Sequence, residues 1–356
     1  MARKSVQYWL RLVIIVLSAI LVMHGAAVAL PFLVSLVMTL ILLPLVNTIQ
    51  DGMKDKLHLS YVPRTLAILP AFLLVACIIY LATLLVLTPF LTEFTRLVTN
   101  FPLIMNQVMV LLKEIPAGPG QSGMSPQIDN LIAMTVTKIG NYGVDLAQQG
   151  ITKVLSLAGT LLELILVPII TFYLLKGGRA LKHSVVKVFP TSVQKHLYDV
   201  VNQIHRTLGG YLRGQLVLAT NMFFMILIVA YIFDLPYPFV LALLGFIAEW
   251  LPIVGPFISA GPAIVLAALI SGALAFQVAI AYLIILLLDS QIIMPKVMGH
   301  IIKLPPVVII SVIFIGGSFY GVIGMMVAVP TTAILQIIVD RLWYFDSYYK
   351  KGDDTL

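Results

Sequence analysis

The chain has 356 residues, of which 60% are hydrophobic and only 10% charged, with a net charge of +7. Soluble domains carry about a quarter charged residues, so the composition excludes a soluble domain and specifies an all-α polytopic membrane protein. The positive balance does not indicate nucleic acid, because Lys and Arg fall in short clusters between apolar runs, the pattern of cytoplasmic loops beside anionic headgroups.

The first 30 residues imitate a secretory signal, with Arg3, Lys4 and Arg11 before an apolar stretch, but a second apolar run follows at once from Pro31 and favours an uncleaved first crossing. Arg11 and Asp51 bracket 39 residues without Asp, Glu, Lys or Arg. That is nearly twice the roughly 20 residues one crossing needs, so two helices are expected with a turn at His24-Gly25 or near Pro31. Lys54, Lys56 and Arg64 mark a cytoplasmic loop, and the 28 uncharged residues from Thr65 to Thr92 cross outward, completing a block of membrane segments over 1–92. The lone Cys77 sits in this apolar run and is expected to pack there.

Residues 93–153 hold four basic and four acidic side chains. This is the expected extracytoplasmic insertion. Apolar residues recur at helical spacing at Phe90, Phe94, Leu97 and Phe101, at Ile104, Val108, Leu111 and Ile115, and from Ile128 to Leu146, predicting three amphipathic helices with a turn at Ala117 to Pro126. Such an arm would lie on the membrane surface or pack against a neighbouring subunit.

The transmembrane core is expected over 154–340, followed by a cytoplasmic tail, 341–356. Val154 to Leu175 returns inward with Glu163 near its middle, and Lys176 to Arg213 carries seven Lys or Arg against one acid, the strongest cytoplasmic marker in the chain. Within it, 191–208 is predicted as an interfacial amphipathic helix opened by Thr191 and Gln194 at capping-box spacing. From Gly214 to Pro295 there is no Lys or Arg and only three acids, Asp234, Glu249 and Asp289. Phe239 to Ile270 is 32 residues, roughly 48 Å as one helix against a hydrocarbon core of about 30 Å, and Leu304 to Val339 is similarly overlong.

Two topologies keep Arg341, Lys350 and Lys351 in the cytoplasm. Either both overlong runs are single tilted crossings, or both are re-entrant hairpins broken at Pro252 to Pro256 and at Gly316 to Gly324. The first places 16 of 22 Lys and Arg in the cytoplasm and the second 18 of 22, so the positive-inside rule leans towards hairpins.

Four stretches carry a family resemblance: LVPIITFYLLKGG from Leu166, GFIAEWLPIVGPFISAGPA from Gly245, LLLDSQIIMPKVMG from Leu286 and IGGSFYGVIGMMVAVPTTAIL from Ile315. Together they resemble the autoinducer-2 exporter-like (AI-2E) permeases, bacterial membrane proteins, over nearly the whole chain. The resemblance implies a bacterial membrane protein, which with the Lys and Arg pattern gives the expectation of a multi-pass protein of the cytoplasmic membrane with both termini inside. It also implies export of a small signalling molecule or other metabolite, or cation/proton antiport, by a homo-oligomer of pentameric size with an elevator-like moving sector. The family's Glu and Pro-Gly-Pro pattern carries over onto Glu249, Pro252, Gly255 and Pro256, and its acid, Pro and Gly pattern onto Asp289, Pro295 and Gly299. Where many members have Leu-His-Pro, this chain has Leu304-Pro305-Pro306.

Glu249 and Asp289 are the main candidates for the pathway or gate, with Pro252, Gly255, Pro256, Gln291 and Pro295 around them. A carboxyl in the apolar zone costs on the order of 3 kcal/mol, so each should face a cavity, find a partner or bind a proton. Glu163 is a secondary candidate. Gly316, Gly317, Gly321, Gly324 and Pro330, with Gly299, are expected to serve close packing or hinge motion, Gly317 and Gly321 having GxxxG spacing. No HExxH, GxSxG or aspartate cluster suggests an enzyme, and no metal or cofactor is expected. The partners expected are the lipid bilayer, a small-molecule or ion substrate, and further copies of the chain. A non-transporting scaffold using the 93–153 arm is the reading from another class.

Overall fold

The computed structural model describes residues 26–57, 62–114, 134, 138, 161–251, 255–299, 301 and 304–343. The expected turn at His24-Gly25, the Ala117 to Pro126 turn, nearly all of Ile128 to Leu146, Pro252 and the tail beyond Trp343 lie outside them. Every described element is a helix. Helix α1 is Ala26–Leu57, α2 Arg64–Ala82, α3 Thr88–Glu114, α4 Leu161–Lys187, α5 Thr191–Ile232, α6 Pro238–Ala248, α7 Gly255–Ile270, α8 Gly272–Leu288, α9 Met294–Met298 and α10 Pro306–Trp343.

Among the described residues, five stretches are long and apolar enough to cross a membrane: Pro31–Asp55, Arg64–Leu111, Val193–Ile232, Gly272–Met298 and Pro306–Asp340. Their surfaces agree. Leu73 is 73% exposed and Phe319 75%, an arrangement that water would penalise and lipid tails do not. One expectation is corrected here: α1 runs unbroken through Pro31 and Pro44, so no turn falls near Pro31.

Two joins are widened rather than broken. α2 continues into α3 through the π-helical turn Thr83–Leu87, and α8 into α9 through Asp289–Ile293. Each five-residue turn is followed two residues later by a proline, Pro89 or Pro295. A proline has no N–H and its ring clashes with the carbonyl four residues back, here Leu85 or Gln291, the middle of each turn; adding a residue to the turn relieves that clash without ending the helix.

The two overlong runs reverse direction. A Cβ on Gly255 would lie 2.1 Å from the Ala248 carbonyl oxygen, so the start of α7 touches the end of α6, and the two pack against each other. In α10, Gly316 and Gly324 would be about 12 Å apart along a straight helix. Instead a Cβ on Gly316 would meet the Gly324 carbonyl oxygen at 2.4 Å, and one on Gly324 the Gly316 oxygen at 2.0 Å. The turn between them is made by Tyr320 (φ −133°, ψ 16°) and Gly321 (φ 59°, ψ −141°), a left-handed φ that favours glycine. Pro306–Asp340 therefore meets the length criterion for a span while being two antiparallel halves on either side of Tyr320 and Gly321. The GxxxG pair is not the contact: Gly316 and Gly324 make the close approach, and Gly321 faces open space at the turn.

The chain forms two compact units, each assembled from separated stretches: 1–77, 161–214 and 298–356, and 78–160 with 215–297. In the first, α1 packs on α4 where small hydroxyls let the backbones approach. Ser35 Oγ donates to the Pro31 and Val167 carbonyls at 2.6 and 3.1 Å, and Thr171 Oγ1 to Val167 at 2.7 Å. Leu42, Val46, Ala67, Ile68, Ala71 and Leu175 form the apolar core beside this crossing.

The second unit is built on α6, α7 and α8 with α3 and the part of α5 from Gln215. Its core includes Met222, Ile226, Leu241, Ala242, Ala263, Ala267, Val278 and Tyr282. The helices expected at 90–101 and 104–115 are one continuous α3 containing Pro102, and its apolar face packs inward through Leu97, Ile104, Met105 and Val108. The rest of the expected 93–153 insertion lies almost wholly outside the described residues.

Candidate functional site

The site grows from the start of α6. Asp234 and Tyr237 both have positive φ, 45° and 61°, so the turn before α6 is tight, and Tyr237 offers no side-chain cap to the helix. The cap arrives from 146 residues away: Glu93 Oε2 accepts from the Phe239 and Val240 N–H groups at 2.7 and 3.2 Å. A carboxylate there satisfies two free donors and complements the helix dipole. Asn100 Nδ2 donates to the Tyr237 hydroxyl at 3.1 Å, so α3 fixes the α6 entry at two points.

α6 ends at Ala248, and Gly255 lies against its last carbonyl. Leu251 N–H donates to the Ala248 carbonyl at 2.8 Å and Gly255 N–H to the Leu251 carbonyl at 2.8 Å, closing the reversal. Pro256 stands in the first turn of α7, where a missing N–H costs nothing. Glu249 sits at this break, 8% exposed. From α5, Gln215, itself 3% exposed, donates its amide to the Glu249 backbone carbonyl at 2.6 Å, taking up an acceptor that the end of α6 would otherwise leave bare.

The Glu249 carboxyl is less well served: its Oε2 is buried without a hydrogen-bond partner. Asp289, 5% exposed at the start of the π-helical turn, has an equally unpartnered Oδ1, and the two carboxyls lie within electrostatic range of each other. The buried face of α8, Val278, Tyr282, Ile285 and Asp289, adds a third orphan, the Tyr282 hydroxyl. Native interiors leave few such groups, so three oxygen atoms of this kind among the described residues of one unit stand out.

Of the residues singled out in the sequence, Glu249, Gly255, Pro256 and Asp289 belong to this unit and build the α6–α7 break and the α8 turn. Gln291 and Pro295 follow Asp289 but are exposed. Gly299, Gly316, Gly317, Gly321, Gly324 and Pro330 belong to the other unit. Glu163 is in the first turn of α4, its side chain outside the described residues.

The family model for AI-2E family transporters matches residues 11–343. The chain belongs to the AI-2E transporter family. Among its relatives, YrrI of Bacillus subtilis (strain 168), an inferred transport protein, is 29% identical over 87% of this chain and 85% of its own length. YueF of the same organism, also an inferred transport protein, is 29% identical over 77% of this chain and 76% of its own. A protein of Halobacillus andaensis named as a sodium-lithium/proton antiporter is 24% identical over 90% and 92%. This AI-2E chain is accordingly a multi-pass membrane transport protein.

Sequence reasoning did not find Glu93 or Tyr282. A glutamate opening a charged stretch reads as surface, and a tyrosine in an apolar run as an interfacial anchor. The only available signal for Glu93 was the lack of any capping residue before Pro238.

Proposed function

We propose that this transporter moves a small polar solute, a signalling molecule of the autoinducer-2 type or a similar metabolite, outward across the bacterial cytoplasmic membrane, with Glu249 and Asp289 carrying the coupling proton. The observation behind this reading is the pair of buried carboxyls, each with an unpartnered oxygen, held at the α6–α7 break and the π-helical turn. A lone acid in an apolar zone is expensive unless it serves the pathway, and broken helices in a membrane are tolerated where they line a cavity. In this reading both reversing runs are re-entrant, the Lys296 to Lys303 segment and both termini are cytoplasmic, and the working form is a homo-oligomer, a pentamer by resemblance. Gly316, Gly317, Gly321, Gly324 and Pro330, with Gly299, serve packing and hinge motion.

The test is efflux from inverted vesicles under an imposed pH gradient. Glu249→Gln and Asp289→Asn are each expected to lower gradient-driven flux at least about tenfold, the typical weight of a group that handles a proton. Unchanged dependence on the gradient in both variants would remove the carboxyls from coupling.

A second reading, sodium or lithium exchange for protons, is favoured by the hard oxygen character of the free groups and by the name of the Halobacillus andaensis relative. Sodium-dependent dissipation of a pH gradient in proteoliposomes lacking any organic solute would select it. No sodium response, with solute-dependent dissipation, would select the first.

A further inference from the structure

From Gln215 onward α5 belongs to the second unit. Its buried face there includes Gln215, Ala219, Met222, Ile226 and Ala230, which recur at helical spacing. All but the first are apolar. A leucine at 215 would serve for packing, whereas a buried amide is costly unless it is hydrogen-bonded and a long side chain gives up rotamer freedom as well. The position is explained by what the amide reaches: Gln215 Nε2 donates to the Glu249 carbonyl at 2.6 Å, across 34 residues of sequence.

In an unbroken α-helix each carbonyl accepts from the N–H four residues on. Around the break the backbone supplies its own donors at three places: Trp250 N–H to the Ile247 carbonyl at 3.2 Å, Leu251 N–H to Ala248 at 2.8 Å and Gly255 N–H to Leu251 at 2.8 Å. The Glu249 carbonyl takes a side-chain donor from another helix instead. That amide stands in for the N–H a continuing helix would have supplied, so it stabilises the broken geometry over a rewound one. One turn earlier α6 is located by packing, since a Cβ on Gly245 would run into Ile226 and lie 3.5 Å from Met222 Cγ. Packing places the helix, and the amide addresses the backbone of Glu249 itself. Because the bond is made to the backbone, it fixes where the Glu249 side chain starts and leaves the carboxyl uncommitted, with Oε2 buried and unpartnered.

We propose that Gln215 is the positioning residue of the carboxyl site: its amide holds the α6–α7 break in the conformation that leaves the Glu249 carboxyl unpaired, and release of that bond lets the break rearrange and changes access to position 249. The proposal rests on the reading of this break as part of the transport pathway, and not on which species Glu249 binds.

The backbone carbonyl at 249 persists in Glu249→Cys, so the bond can be tested without the carboxyl. In the full-length Cys77→Ser protein, in inverted and right-side-out membrane vesicles, the rate at which a small impermeant methanethiosulfonate modifies Glu249→Cys is compared among Gln215, Gln215→Met and Met222→Leu. Gln215→Met keeps the length and removes the donor, while Met222→Leu disturbs the same buried face of α5 and no hydrogen bond. Gln215→Met is expected to raise the rate about tenfold, the weight of one buried hydrogen bond, and Met222→Leu to leave it within about twofold. A cysteine at exposed Gly261 on α7 is expected to react equally in all three, which separates a local change at the break from a general loosening of the unit. Should Gln215→Met not fold, Gln215→Asn, whose amide is one carbon too short to reach, carries the comparison. Measurable but equal rates at 249, or a parallel rise at Gly261, overturn the role of Gln215 and leave the pathway reading standing. No reaction at 249 in any variant overturns both together.

Discussion

Gly255 shows how a single residue decides the geometry at Glu249. Its missing Cβ is the space occupied by the Ala248 carbonyl, a backbone atom that cannot swing away. Gly255→Ala is expected to cost about 1–3 kcal/mol in thermal unfolding, whereas Gly261→Ala, with nothing within 4 Å, should stay within about 0.5 kcal/mol. Glu93 gives a second case. Glu93→Ala removes the only side-chain cap seen on α6 and should cost about 1–2 kcal/mol, with Glu93→Gln losing less because an amide oxygen still accepts. Melting curves in one detergent would check both pairs. Glu249 and Asp289 were legible because a carboxyl in a long apolar run is conspicuous by cost alone. Glu93 was not, because what makes it matter is a helix start far along the chain.

At the scale of elements, the reversals at 249–255 and 320–321 were readable from glycine and proline in runs too long for one crossing. Length alone left a tilted rod open, and only the backbone contacts between Gly316 and Gly324 exclude it. The π-helical turns were also written in the sequence as Pro89 and Pro295, yet a proline in an apolar run permits a kink, a break or a widened turn, and packing selects among them. The charged stretch after Thr92 gave no sign that α2 and α3 share one helical path through the π-helical turn Thr83–Leu87. For α10, Gly324→Ala should lower the melting temperature more than Gly321→Ala. The first must push a Cβ into the Gly316 carbonyl at 2.0 Å, and the second pays only for an unfavourable φ. Equal melting temperatures for the two would mean that the halves of α10 do not pack as described.

For the whole molecule, composition was enough to give an all-α polytopic protein, since burial and backbone hydrogen bonding leave few alternatives in lipid. The pairing of distant stretches into two units was not visible, because hydropathy along the chain carries no information on which helices meet. Orientation can be read by thiol labelling in a Cys77→Ser background, a mild change at an exposed position. Single cysteines at Lys296 and Gly299 should react with impermeant reagents only from the cytoplasmic side, and reaction from outside would reject the re-entrant topology.

The most direct question is whether solvent reaches Glu249 at all. In the same background, Glu249→Cys should react with a small impermeant thiol reagent from at least one side of the membrane, at a rate that changes when a pH gradient is imposed. A thiol at 249 that stays unreactive from both sides, with and without the gradient, would mean a sealed interior and would contradict a pathway through the α6–α7 break.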